Sequence, residues 1–171
     1  MRCRMMRYEH RVRTLLLVAA FAASGPAVSA AERAQTLFAR GHWAALKFNK
    51  QCVAEARPLL PAARRQPAAR AGFSFMRGRS EFHARLSRVP RPGSSVMLTV
   101  GEQPFLLVAR GDWAWSNGPL QEAAIIAAAR SAQSMRIEAR DASGRRFTDR
   151  YLLDGAPTAI DAAAAGCAGK I

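Results

Sequence analysis

Cys167, four residues from the end of a 171-residue chain, constrains the fold more than any other residue once its partner is known. The partner depends on the N-terminus. Arg2, Arg4, Arg7, Arg11 and Arg13 precede the apolar run TLLLVAAFAA, which gives way to GPAVSA and then to charged residues. A basic stretch, an apolar core and a small-residue close make a secretory signal peptide. Val28-Ser29-Ala30 predicts cleavage after Ala30, with Ala31 the alternative. The rival, an uncleaved membrane helix, needs roughly 20 apolar residues, and the run from Leu15 to Ala23 falls well short. Cys3 lies too early to be a lipid-anchor cysteine, and no two arginines are adjacent before the apolar run. The expected compartment is the periplasm, with the outer membrane a further place of association and no transmembrane segment left after processing.

Removing residues 1–30 takes Cys3 away and leaves Cys52 and Cys167 in a mature chain of 141 residues, the size of one domain. In an oxidising compartment such a pair joins more often than not. The alternative is two buried free thiols. Joined, they tie an early strand to the last segment of the chain.

Alternation of apolar and polar residues dominates what lies between. Residues 31–40 read as a short helical or frayed lead-in. In HWAALKF, His42, Ala44, Leu46 and Phe48 share one strand face and Trp43, Ala45 and Lys47 the other, and Asn49-Lys50 turns the chain into a second strand carrying Cys52. RPLLPAARRQPAARAG, residues 57–72, holds three prolines and no period, so it reads as a loop. FSFMRG and EFHARLSRV follow as strands, the second with Phe82, Ala84 and Leu86 on its inner face. VMLTV and FLLVARG flank Gly101-Glu102-Gln103-Pro104 as a hairpin, and SMRIEAR and RFTDRYLL flank Asp141-Ala142-Ser143-Gly144 as another. Phe147, Tyr151 and Leu153 fall on one face of the last strand and read as core.

Between the hairpins, Pro119 suits the first position of the alanine-rich helix LQEAAIIAAARSA, with Asn117 or Gly118 as its cap. About seven strands with one short inserted α-helix and a small C-terminal helix predict a mainly β chain, a sandwich in preference to any α/β design.

An ordered series of motifs, GHWAALKF followed by Cys52 and Arg57-Pro58, VMLTVGEQPFLLVARGDWAW, AAIIAAARSAQSM, and FTDRYLLDGAPTAI leading to Cys167, resembles the invasion-associated locus B proteins of alphaproteobacteria from Gly41 to Cys167. The resemblance implies an exported, immunoglobulin-like β-sandwich with a helix packed across it and a Cys52–Cys167 disulfide. The family name records an association with host-cell invasion, many relatives belong to free-living bacteria, and no catalytic residues come with the likeness. The expected role is binding, in envelope integrity or host-cell contact, and not catalysis.

The chemistry-bearing residues agree with a non-enzymatic reading. Only His42 and His83 remain in the mature chain, without the Cys, His or carboxylate spacing of a zinc site, so no metal or other cofactor is expected. No Gly-x-Ser-x-Gly elbow, phosphate-binding loop or dinucleotide fingerprint is present. A hydrolase would need His42 or His83 in a pocket with an acid. A purely structural or stress-protective envelope protein is the third reading.

Charge supplies the remaining signal. The mature chain carries 21 Lys and Arg against 11 Asp and Glu, and residues 57–91 hold nine arginines with one acid, Glu81. Arg57, Arg64, Arg65, Arg70, Arg77 and Arg79 are the candidate contact for an anionic lipid or glycan or for an envelope protein. The alternative is a compositional excess of arginine over a solvated surface. Nucleic acid is not expected as a partner of an exported chain. Trp113 and Trp115, two apart in an extended stretch, face one side together as a core wall or an aromatic platform, and the usual burial of tryptophan favours the wall.

Overall fold

The computed structural model describes residues 34–60 and 68–168, so the leader read at 1–30 lies outside the described residues, as do Arg64 and Arg65. The elements are β1 (Gln35–Arg40), β2 (Trp43–Phe48), β3 (Gln51–Ala56), β4 (Arg70–Met76), β5 (Arg79–Arg85), β6 (Val96–Val100), β7 (Gln103–Arg110), β8 (Trp113–Trp115), α1 (Pro119–Ser131), β9 (Ser134–Arg140), β10 (Arg146–Leu152) and α2 (Ala156–Cys167). The chain is mainly β with an inserted and a C-terminal helix.

The stretch read as a helical or frayed lead-in is a strand. β1 lies against β2 from Gln35 opposite Lys47 to Arg40 opposite Trp43, with an irregularity between Thr36 and Phe38. Its interrupted register hides the two-residue period, and pairing with β2 overrides the local preference.

All neighbouring strands are antiparallel, in the order β1-β2-β3-β4-β5-β8-β7-β6-β9-β10. An immunoglobulin-like sandwich keeps two sheets apart, whereas here the hydrogen bonding is continuous. β7 is the reason: its eight residues pair with β6 through Gln103–Leu107 and with β8 through Val108–Arg110. One strand thus closes one half of the sheet and opens the other. The far end of the sheet also reaches back to its beginning. The Trp43 indole donates to the Leu152 carbonyl at 2.9 Å and the Leu59 amide to the Arg150 carbonyl at 2.8 Å.

A single cluster of buried apolar side chains fills the interior from both halves. Phe73 stacks beside Trp43 and meets Phe82 edge to face at 5.4 Å, while Leu98, Ile137 and Tyr151 come from the other half. Phe147, Tyr151 and Leu153 are all buried. Alternation places these residues inward, and the same alternation turns Glu55, Glu81 and His83 to the opposite face of β3 and β5.

α2 is held at both ends. Gly155 at its N-cap has φ +88°, and a Cβ there would lie 2.5 Å from the Arg40 carbonyl oxygen, so only glycine fits. Ala156, Ala159, Ile160 and Ala163 bury one helical face. At the far end Cys167 is bonded to Cys52 of β3, with Cα atoms 5.7 Å apart, and Lys47 Nζ donates to the Gly166 carbonyl at 3.0 Å.

Candidate binding groove

A groove of about 360 Å³ runs over the outer face of β3, β4, β5 and β8. Strand register builds its floor. Glu55 pairs with Gly72, Gly72 with His83, and His83 with Trp115, so these four residues form one row across four strands. Gly72 contributes no side chain, and a Cβ there would collide with the Ala54 carbonyl and sit 2.9 Å from Glu55 Cα. Over that gap the side chains of Glu55 and His83 meet, Oε1 to Nε2 at 3.0 Å, although a whole strand separates them.

The neighbouring row adds cationic and aromatic groups. Arg70 Nε stands 3.5 Å from Glu55 Oε1, and the Arg70 guanidinium lies 5.1 Å from the Trp113 ring centre, a cation–π distance. Trp113 and Trp115 stack with ring centres 6.3 Å apart and planes 14° apart, and His83 is 6.1 Å from Trp113. Val53, Ser74 and Glu81 continue the groove past Trp115. Burial by itself would raise the Glu55 carboxyl, but the His83 hydrogen bond and charge, with the Arg70 charge, outweigh it and hold the group below its usual value. Glu55 is therefore an anion at neutral pH, already bonded on one oxygen.

Beneath this face, Glu122 of α1 reaches back to the strands. Its carboxylate accepts from the Phe82 amide and from the Ser116 hydroxyl at 2.6 Å, while its other oxygen is buried with no hydrogen-bond partner among the described residues. Burial pushes this carboxyl up, and the two hydrogen bonds only partly offset it. The group fixes α1 on β5.

The residues singled out from the sequence are placed as follows. Trp113 and Trp115 are half-buried walls of the groove, so the core reading of the pair is corrected. The residue turned inward is Ala114, fully buried opposite Ala84, because the three-residue strand presents only its middle position to the core. Arg70 lines the groove and Arg57 is exposed just past β3. Arg77 and Arg79 flank the turn at the other end of the β4–β5 hairpin, since Arg70 pairs with Arg85 and Arg79 with Met76. The described arginines therefore sit at two ends of the hairpin and do not converge. His42 is exposed in the turn before β2. The Glu55–His83 pair was not read from the sequence, because it shows only when the registers of two successive hairpins are combined.

Among the described residues no three His, Cys, Asp or Glu gather closely enough to hold a metal ion, and no helix is long and apolar enough to cross a membrane.

The chain matches no family model and no curated protein in sequence. Among solved structures it is similar to the invasion associated protein B of Bartonella henselae, with a TM-score of 0.60 and 15% identity over 79% of this chain and 99% of that one. The family expected from the order of its motifs is thus met at the level of the backbone, and this protein has the fold of an invasion associated protein B.

Proposed function

We propose that this protein is exported to the periplasm, stays associated with the envelope and acts there by binding and not by catalysis. The observation that carries the reading is the groove over Gly72, where two half-exposed tryptophans and a fixed set of charged groups stand on four paired strands. Groups held this way lose little freedom when a partner arrives, which is the condition for specific recognition. The basic leader, the Cys52–Cys167 bond and the fold shared with an invasion associated protein support the compartment. The Arg77–Arg79 turn, apart from the groove, offers a second contact for anionic headgroups or glycans.

A hydrolytic reading is favoured by one feature, the His83–Glu55 pair, which supplies a base with an orienting acid. The nearest outward hydroxyl in the groove, that of Ser74, is turned to the Glu81 carbonyl at 3.5 Å.

Cross-linking in intact cells, with the intact mass of the recovered protein, tests the proposal. One reproducible partner on a chain beginning at Ala31 is the expected result. Diffuse labelling points to a structural or stress-protective role, and ester hydrolysis lost in His83→Ala would establish the enzyme.

A further inference from the structure

We infer that the groove takes a neutral saccharide, with a pyranose face against Trp115 and its hydroxyls on Glu55, Glu81 and His83. This inference rests on the binding reading above and names the chemical class of the ligand.

Charge excludes most alternatives. Glu55 and Glu81 face the groove, and Arg70 and His83 both lie against Glu55, so a phosphate or sulfate group would meet the Glu81 carboxylate, which has no ion-pair partner among the described residues. A free cation fares no better. The expected mature chain carries 21 Lys and Arg against 11 Asp and Glu, and Arg70 already occupies the place over Trp113 where a ligand ammonium would stack. A neutral ligand incurs neither penalty.

Shape and hydrogen bonding then select among neutral ligands. Trp113 and Trp115 stack with planes 14° apart, and both border the groove, so the pair offers apolar ring surface to a ligand. The ring faces carry the negative part of the aromatic quadrupole, which attracts the polarised C–H groups on one side of a pyranose. Acceptors and donors line the groove beside the pair. An ionised carboxylate offers about four lone-pair sites, and His83 uses one of those on Glu55. Arg70, Ser74 and Gln51 supply donors. A flat face with a hydroxylated rim is the chemistry of a sugar ring, and about 360 Å³ lies at the small end of ligand sites.

The test titrates the purified exported protein with N,N′-diacetylchitobiose and cellobiose as neutral probes, chitosan disaccharide as the cationic probe and a sulfated heparin disaccharide as the anionic one. Tryptophan emission is followed, since Trp43 is buried and the other two tryptophans border the groove. A neutral disaccharide is expected to shift the emission to saturation, independently of salt. Trp115→Ala should weaken that binding about tenfold. Ser74→Phe, at a half-buried outward position, should block the groove and leave thermal unfolding unchanged. Tighter binding of either charged probe, neutral binding that survives Ser74→Phe, or no saturation by either neutral sugar would overturn the assignment. If a single partner cross-links in cells while neither sugar binds, the saccharide assignment falls and the binding reading stands. If both experiments fail, both fall.

Discussion

The Cys52–Cys167 bond closes a span of 115 residues, and its removal is the perturbation whose size follows most directly from the structure. In the chain-entropy description a loop of that length restricts the unfolded chain by about 16 cal/mol/K, or about 4.8 kcal/mol at 25 °C. A small domain has in total roughly 5–15 kcal/mol, so the bond is a large share of it. At roughly 2.1 cal/mol/K per residue, unfolding the expected mature chain releases about 300 cal/mol/K, and loss of the bond should lower Tm by about 16 °C. The native state should change little. α2 keeps its apolar face of Ala156, Ala159, Ile160 and Ala163 on the sheet, and a free thiol at Cys52 is tolerated in a core. Calorimetry of the oxidised protein, the reduced protein and Cys167→Ser should give one high and two matching low transitions, with the near-UV spectrum constant at low temperature. A drop below about 5 °C, or a low-temperature spectrum that changes on reduction, would refute the reasoning, because the bond would then act on something other than the unfolded chain.

Four further outcomes are expected. Gly72→Ala drives a Cβ into the Ala54 carbonyl and should cost about 3 kcal/mol in urea denaturation. Glu122 has a folded value raised above its ordinary 4.5, so its contribution to stability is present below that value and is lost as pH rises through the folded one. Glu122→Gln should therefore flatten the pH dependence, gaining on the parent as pH rises. Asp141 runs the other way. The Ser143 hydroxyl, the Arg88 guanidinium and the Arg145 and Ser143 amides hold it at about 2 against an ordinary 3.8. Its stabilisation is present above 3.8 and lost as pH falls towards 2, a limb that Asp141→Asn should lack in thermal melts. Arg77→Ala with Arg79→Ala should reduce low-salt retention on anionic vesicles and leave saccharide titrations unchanged.

Much of the fold was legible because the hairpins carry their own punctuation. Asn49-Lys50, the Gly101 turn and Asp141–Gly144 each separate runs of period two, and Pro119 marks the start of α1 within one residue of its cap. What escaped the sequence depends on relations between hairpins. The continuity of the sheet turns on β7 being long enough to serve two neighbours, which no local pattern records. The groove is hidden for the same reason: Glu55, Gly72 and His83 are unremarkable singly and meaningful only in one row. Tryptophan's general preference for burial misled at Trp113 and Trp115, since a strand that short gives its one inward position to Ala114.

The return of β10 towards the start of the sheet bears on how copies of this protein meet. An open antiparallel sheet has two edges, and each is a template on which a second molecule can add a strand. At β10 the Arg150 and Leu152 carbonyls are already taken by the Leu59 amide and the Trp43 indole. At β1 the irregularity between Thr36 and Phe38 breaks the straight run that strand addition requires. Both edges are thereby less suited to taking on a strand from a second copy.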